Sequence, residues 1–420
     1  MKLLYESLLS KMVSIRMVLI VFVGVFFATG TTIVASFSVF MLPMLKTFHM
    51  NRTEISLVVT IFLWSGAIVG PFIAKLMDRF GVRKILVPST ILFGLTILAL
   101  PLAGSSKWQL YFQYLLVGVT APSMVGFAKI LSLWYHERRG IALATLAIGA
   151  AFSAGVMPKI AQTLITLYSW QVAYLLFGLM VLLFGLPAIA MMAEPKLAAG
   201  LKNSESNLKK GAPLRAALHN PVFWCITCGL GLVTMCQFGV QTHLVAILDG
   251  RGISSDMTAY LFLAISVGSL LGQLTAGSFL DRFDSPRVVL PLMLISLGGL
   301  MLFQYSNNFW VLAIALVLFA LGAFGETGTA PYLITRYFGL DSFASIFAIN
   351  FMISIIFFGV SPVVSGAIFD LSGSYHIALV FYMFLLCAAT MLLFFMRQYE
   401  YDRGGNRLNI NLAPSEASLS

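Results

Sequence analysis

The chain has 420 residues, of which 59% are hydrophobic and only 10% are charged, and its mean hydropathy is +0.93. A soluble domain carries about 25% charged residues, so this composition excludes an ordinary soluble fold and indicates that lipid surrounds most of the chain. The formal net charge is +10. In a soluble protein that excess would suggest nucleic-acid binding, but here the basic residues lie between apolar segments, so no nucleic-acid partner is expected.

Twelve apolar segments are long enough to cross a bilayer, since a spanning helix needs about 20 residues. They cover 17–45, 54–76, 85–104, 109–134, 141–167, 171–193, 221–248, 257–280, 287–305, 310–336, 343–369 and 375–397. We therefore predict an all-α membrane protein of twelve transmembrane helices. Its parts are an N-terminal six-helix half (1–193), a polar cytoplasmic linker (194–219), a C-terminal six-helix half (220–397) and a disordered polar tail (398–420).

The basic residues predict the orientation. With twelve helices both termini lie on one side, and that side collects 20 of the 26 Lys and Arg residues, against four on the other side and two inside helices. By the positive-inside rule, the N- and C-termini are cytoplasmic in an inner or plasma membrane.

A short basic loop follows the second predicted helix, and its core recurs in the second half. Asp78-Arg79-Phe80 and Asp281-Arg282-Phe283 are 203 positions apart. Gly66-x-x-x-Gly70 corresponds, one residue out of register, to Gly268-x-x-x-Gly272. Small residues four apart let helix backbones approach closely. The repeats indicate two pseudo-symmetric six-helix halves.

The segment Ala74-Lys75-Leu76-Met77-Asp78-Arg79-Phe80-Gly81-Val82-Arg83-Lys84 resembles the loop signature of the major facilitator superfamily. Three further segments resemble monocarboxylate and oxalate/formate-type porters of that superfamily. They are Trp134–Ala142, Gly325–Gly339, and Phe369-Asp370 with Gly373-Ser374-Tyr375. The resemblance implies that helices 1, 4, 7 and 10 line a central cavity.

The same resemblance implies a role for the basic loop. Asp78 would cap the N-terminus of helix 11 near Ser342, because a carboxylate stabilises the positive end of a helix. Arg79 and Arg83 would pair with acids such as Glu137, and the contacts would clamp the cytoplasmic faces of the halves together. The predicted clamp residues are Asp78, Arg79, Gly81, Arg83, Glu137, Asp281 and Arg282.

Ionisable residues inside predicted helices are costly in a bilayer and are therefore candidates for substrate binding or coupling. They are Lys129, Lys159, His243 and Glu326, with Gln237 and Gln241 as polar neighbours. Two lysines against one glutamate favour an anionic substrate, and we expect Lys129 to pair with Glu326. The structural alternatives are a lysine that extends to the membrane surface, a glutamate that only pairs, and a histidine that bonds backbone.

These observations predict a secondary active transporter that moves a small organic anion, resembling a monocarboxylate, by alternating access with proton coupling or exchange. The alternative is an exporter of amphipathic drugs or siderophore-like compounds. A membrane sensor and a membrane enzyme are the other classes. No phosphate-binding Gly-x-x-x-x-Gly-Lys-[Ser/Thr] loop occurs, so ATP drive is not expected. No His/Asp/Glu cluster of metal-ligand spacing and no nucleophile–base set appears, so catalysis is not expected. We expect a monomer with no cofactor and no metal, and Cys225-x-x-Cys228 is interpreted as two buried thiols.

Overall fold

The computed structural model describes residues 16–104, 106–134, 139–192, 212–283, 285–323, 326–339, 342–396 and 399. The side chains at 132, 133, 139–144, 281, 288, 326–328 and 344 lie outside this description. Within it, ten helices are long and apolar enough to cross a membrane, and two shorter apolar helices complete the set. The prediction of twelve spanning helices is confirmed.

The N-terminal half consists of α1 to α6. Their bounds are Arg16–Phe48, Arg52–Phe80, Val82–Ala99 with a 3₁₀ extension Leu100–Ala103, Lys107–Thr120 continued by Met124–Trp134, Arg139–Leu167, and Trp170–Ala190. The predicted boundaries agree to within several residues, because each apolar run ends at a polar or glycine-containing turn.

The C-terminal half consists of α7 to α12 and is preceded by a short helix, Leu214–His219, at the end of the predicted linker. Their bounds are Pro221–Asp249, Ser255–Arg282, Leu290–Tyr305 after a 3₁₀ turn Pro286–Val289, Phe309–Ala323 continued by Glu326–Phe338, Phe343–Ser372, and Tyr375–Phe394. Residues 193–211, which include most of the predicted linker, and most of the predicted tail lie outside the described part. Tyr399 of the tail is described, and it is buried against Arg336 and Tyr337.

The predicted glycine pairs bring helices together in the same way in both halves. A Cβ added to Gly268 or Gly272 of α8 would lie 2.4 or 2.2 Å from a backbone oxygen of α10. In the first half a Cβ on Gly66 of α2 would lie 3.1 Å from the backbone oxygen of Gly118 in α4. The close approach is confirmed for these three glycines. Gly70 has open space around its Cβ position.

Two helices near the centre of the first half are interrupted. The helical turns of α1 stop at Ala28 and Thr29, and α4 breaks at 121–123. The break exposes the carbonyl of Thr120, which accepts a hydrogen bond from Ser89 of α3 at 2.8 Å. Irregular backbone at membrane depth is tolerated where protein buries it or where it lines a cavity. The breaks therefore place α1 and α4 beside the interior of the protein rather than toward lipid.

Candidate functional site

The two halves are joined along a seam between α2 and α11, which run antiparallel. Among described residues, every hydrogen bond between these helices joins the first half of α2, up to Thr60, to the last half of α11, from Gly359. We call this the α2–α11 seam, and the membrane face where α2 begins the closed face. The opposite face, where α2 ends, is the open face.

At the top of the seam, Asp370 of α11 caps the N-terminus of α2. Its carboxylate accepts hydrogen bonds from the backbone N–H groups of Arg52 at 3.0 Å and Thr53 at 2.8 Å, and from the Thr53 hydroxyl at 2.6 Å. The first N–H groups of a helix have no partner within it, and a carboxylate stabilises them strongly. This cap crosses from one half of the protein to the other.

Lower in the seam the two backbones are in direct contact. Thr60 donates a hydrogen bond to the carbonyl of Gly359 at 2.6 Å. A Cβ added to Gly366 would lie 2.6 Å from the backbone oxygen of Arg52, and one added to Gly359 would lie 2.3 Å from Nε1 of Trp64. Glycine at both positions of α11 is therefore what allows this closure.

The imidazole of His243 (α7) is fully buried beneath the cap. Its Nε2 lies 2.9 Å from the carbonyl of Pro362, which can only accept, so Nε2 carries the proton. Nδ1 lies 2.9 Å from the hydroxyl of Tyr375, from which a neutral ring accepts a hydrogen bond. Nε2 also lies 3.2 Å from the Ser56 hydroxyl of α2, so His243 takes part in the contact between the halves.

A second contact between the halves joins α5 to α8. Lys159 lies 3.6 Å from the carboxylate of Asp256 and 4.1 Å from the ring centre of Tyr260. Nearby, a Cβ added to Gly155 would meet the Ser266 hydroxyl at 2.7 Å. Lys159 thus has a carboxylate and an aromatic face as partners, which offsets the cost of an ammonium group in an apolar helix.

At the open face Asp78 of the basic loop pairs within its own half. The carboxylate of Asp78 is 70% exposed and contacts the ammonium group of Lys129 of α4 at 2.5 Å. No hydrogen bond joins Asp78 to the described part of α11, whose N-cap residue Ser342 makes no side-chain cap. The predicted start of helix 11 is confirmed, whereas the predicted cap on it is not formed in this conformation.

The remaining described clamp residues lie at or next to the ends of α2 and α8. Gly81 joins α2 to α3 with φ of 96°, a conformation that favours glycine. Arg79 lies over the Phe80 ring at 5.2 Å, and Arg282 lies over Phe283 at 6.0 Å. Arg83 is exposed and has a further interaction. The predicted partner Glu137 and the side chain of Asp281 lie outside the described residues.

The structure places the ammonium group of Lys129 against the carboxylate of Asp78. Asp78 is two residues before the end of α2, so Lys129 lies near the open face. Glu326 begins the second segment of α10, but its side chain lies outside the description, so its pairing stays a prediction. Lys129, Lys159 and His243 do not form one cluster: Lys129 is at the open face, and the other two belong to the closed side.

The two predicted glutamines lie one helical turn apart on α7 and are buried, with 6% of Gln237 and 9% of Gln241 exposed. Oε1 of Gln237 has no hydrogen-bond partner among the described residues. Buried polar atoms are nearly always paired in proteins. Gln237 therefore offers an acceptor to a water or a ligand.

Sequence reasoning did not select as site residues the side chains that join the two halves: Arg52, Thr53, Ser56 and Thr60 of α2, Asp256 and Tyr260 of α8, and Asp370 of α11. Arg52 is one of the four basic residues on the side opposite the termini. Its guanidinium group lies 5.1 Å from the centre of the Phe369 ring and 6.0 Å from that of Tyr375. The available signal was the pair of polar segments, around Arg52 and around Asp370, that end on the same face.

Comparison with known proteins agrees with this architecture. The chain matches the model of the Major Facilitator Superfamily over residues 19–266 and 245–409. It is 28% identical to an uncharacterized MFS-type transporter, YcxA of Bacillus subtilis, covering 81% of this chain and 85% of that protein. It is 26% identical to the multidrug transporter MdfA of Edwardsiella ictaluri (75% and 78% covered) and 25% identical to monocarboxylate transporter 13 of Rattus norvegicus (67% and 66% covered).

A solved structure has the same fold. The crystal structure of a bacterial homologue of the human lysosomal transporter Spinster superposes with a TM-score of 0.69 at 16% identity, covering 91% of this chain and 96% of that one. The family model spans both six-helix halves, and Gly66 of α2 and Gly268 of α8 make corresponding backbone contacts in the two halves. The chain therefore belongs to the major facilitator superfamily of multi-pass membrane transporters.

Proposed function

We propose that the protein is a secondary active transporter that carries a small organic anion by alternating access, and that the described conformation is open to the cytoplasm. The observation that carries this proposal is the one-sided closure: hydrogen bonds join α2 to α11 where α2 begins, whereas Asp78, near the end of α2, pairs with Lys129 of its own half. The positive-inside rule assigns the open face to the cytoplasm. Alternating access requires the opposite arrangement in a second state.

The Asp78–Lys129 pair supports a mechanism for coupling the substrate to closure. A substrate carboxylate that binds Lys129 would replace Asp78, whose own carboxylate is largely exposed. The released Asp78 could then cap the uncapped N-terminus of α11 at Ser342. In this scheme the substrate favours closure of the open face because it competes for Lys129.

The charged residues of the site and the similarity to known transporters both support an anionic substrate. Lys129 and Lys159 lie within the spanning helices α4 and α5, and each carboxylate partner is at least half exposed, so an anion can compete for the ammonium group. One relative is named a monocarboxylate transporter. A multidrug transporter is a relative of similar identity, so export of amphipathic compounds is the second candidate.

The test is counterflow in proteoliposomes. Vesicles loaded with an unlabelled monocarboxylate should take up the labelled compound against its gradient, and vesicles lacking the protein should not. A panel of monocarboxylates, dicarboxylates and lipophilic cations, screened first by thermal shift, separates the two candidates because a specific ligand raises the melting temperature. Counterflow of cations alone would favour the drug exporter.

Asp78→Asn should reduce uptake about tenfold while the protein remains folded and inserted. The amide cannot form an ion pair with Lys129, and it is a weaker cap for α11 than a carboxylate. Uptake at matched expression measures the effect, and Asp281→Asn is the control, since that loop lacks the basic tail. A larger loss at Asp281 than at Asp78 would contradict the role of Asp78.

Glu326→Gln should leave anion binding in place but remove the dependence of uptake on external pH. This prediction assumes that Glu326 carries the coupling proton, as its position inside a spanning helix suggests. The measurement is uptake between pH 5 and pH 8, the range in which proton coupling is expected, roughly, to act. A pH profile that overlays that of the wild type would make Glu326 a structural residue.

A further inference from the structure

We propose that Asp370 is a gate residue of the closed face, the counterpart of Asp78, and that the cap it places on α2 holds this face shut. The family resemblance assigns a cap to Asp78 alone. The inference rests on the proposed alternating access, but it concerns a different residue on the opposite side of the membrane.

The first four N–H groups of α2 all have hydrogen-bond partners. The N–H of Glu54 is bonded to the Asn51 side chain at 2.8 Å, and the N–H of Ile55 to the Asn51 carbonyl at 3.1 Å. Among the described residues, the N–H groups of Arg52 and Thr53 are bonded by Asp370 alone, in the other half. Two of the first four N–H groups of α2 are therefore hydrogen-bonded only while α2 and α11 are in contact at this face.

Asp78 and Asp370 occupy equivalent places at the ends of α2 and α11, although the sequence repeat does not relate them. Asp78 and Asp370 are each two residues before the last residue of their helix, Phe80 or Ser372. Each is followed at the third position by a glycine with positive φ, 96° at Gly81 and 71° at Gly373. The antiparallel helices α2 and α11 therefore carry the same Asp-x-x-Gly ending, one on each face of the membrane.

Because the helices are antiparallel, each Asp-x-x-Gly ending lies on the same face as the N-terminus of the other helix. In this conformation Asp370 occupies its cap, whereas Asp78 is bound to Lys129 in its own half. A carrier that exchanges one cap for the other keeps one helix N-terminus stabilised in each state. Opening the closed face breaks the hydrogen bonds of the Arg52 and Thr53 N–H groups to Asp370 and leaves these groups to water. A variant without the Asp370 carboxylate has no such bonds to lose, so the face should open more readily.

The test measures the closed face directly. Nitroxide labels at Ser106 and Asn307 are exposed at the closed face in opposite halves. The distance between them, measured by pulsed electron–electron double resonance, reports the opening of this face. The labels are placed in a background whose four native cysteines, all free thiols, are replaced. Asp370→Ala should raise the long-distance population several-fold. Asp249→Ala is the matched control, since Asp249 is an exposed acid at the end of α7 whose carboxylate accepts no hydrogen bond from any described residue.

Thr53→Val, which removes only the hydroxyl bond at 2.6 Å, should produce the same shift to a smaller extent, and it serves if Asp370→Ala does not fold. Combining Asp370→Ala with Asp78→Asn should restore the wild-type distribution, because both caps are then weakened. Unchanged distances in Asp370→Ala and Thr53→Val would overturn the inference. If these variants shift the distances but no anion shows counterflow, the gate stands and only the proposed substrate is wrong.

Discussion

Lys129→Ala should lower uptake of the anionic substrate about tenfold or more. In the proposed mechanism its ammonium group, 35% exposed at the open face, binds either Asp78 or the substrate carboxylate. Truncating one partner of a charge pair at a binding site costs about 2–5 kcal/mol when the pair is desolvated, and exposure reduces that figure here. About 1.4 kcal/mol already corresponds to tenfold in binding.

The control separates the site from the general charge of this face. Lys84 is exposed at the start of α3 on the same face, and Lys84→Ala should change uptake little. Lys129→Arg should retain part of the activity because it keeps the cation. Loss of uptake should appear together with loss of the ligand-induced rise in melting temperature. A Lys129→Ala carrier with normal uptake and a normal shift would exclude Lys129 as the substrate cation.

Gly366→Leu should abolish transport by preventing closure of the face where α2 begins. A Cβ at this position would lie 2.6 Å from the Arg52 oxygen and 2.8 Å from the Thr53 nitrogen, both backbone atoms that cannot turn aside. Overpacking of this kind costs about 1–3 kcal/mol, which is about 5- to 150-fold in the equilibrium between the two states. Because the clash exists only when the seam is closed, the open-seam state should accumulate.

Gly70→Leu is the matched control, because a Cβ at Gly70 of α2 meets nothing within 4 Å. The same label pair at Ser106 and Asn307 should report a longer distance for Gly366→Leu and the wild-type distance for Gly70→Leu. If Gly366→Leu transports normally, then the α2–α11 seam does not need to close, and the assignment of this face as a gate is wrong.

The spanning helices were predictable from the sequence because their information is local. An apolar run of sufficient length between polar turns is enough to specify a membrane helix, since lipid offers no other partner for the backbone. The glycines four apart also predicted close approach, confirmed at Gly66, Gly268 and Gly272. Asp78 was recognised as a candidate because its loop is basic and repeats in the second half.

The partners of the charged residues were decided by the tertiary structure. The sequence led to the expectation that Lys129 pairs with Glu326, and the structure adds Asp78 of the same half as a partner of Lys129. Asp370 caps Arg52 and Thr53, which lie 318 and 317 positions before it in the chain. The internal repeat pointed instead to Asp281. Composition and periodicity specify each helix by its contact with lipid, whereas a cap between helices of opposite halves depends on their relative position, which only the packed molecule determines.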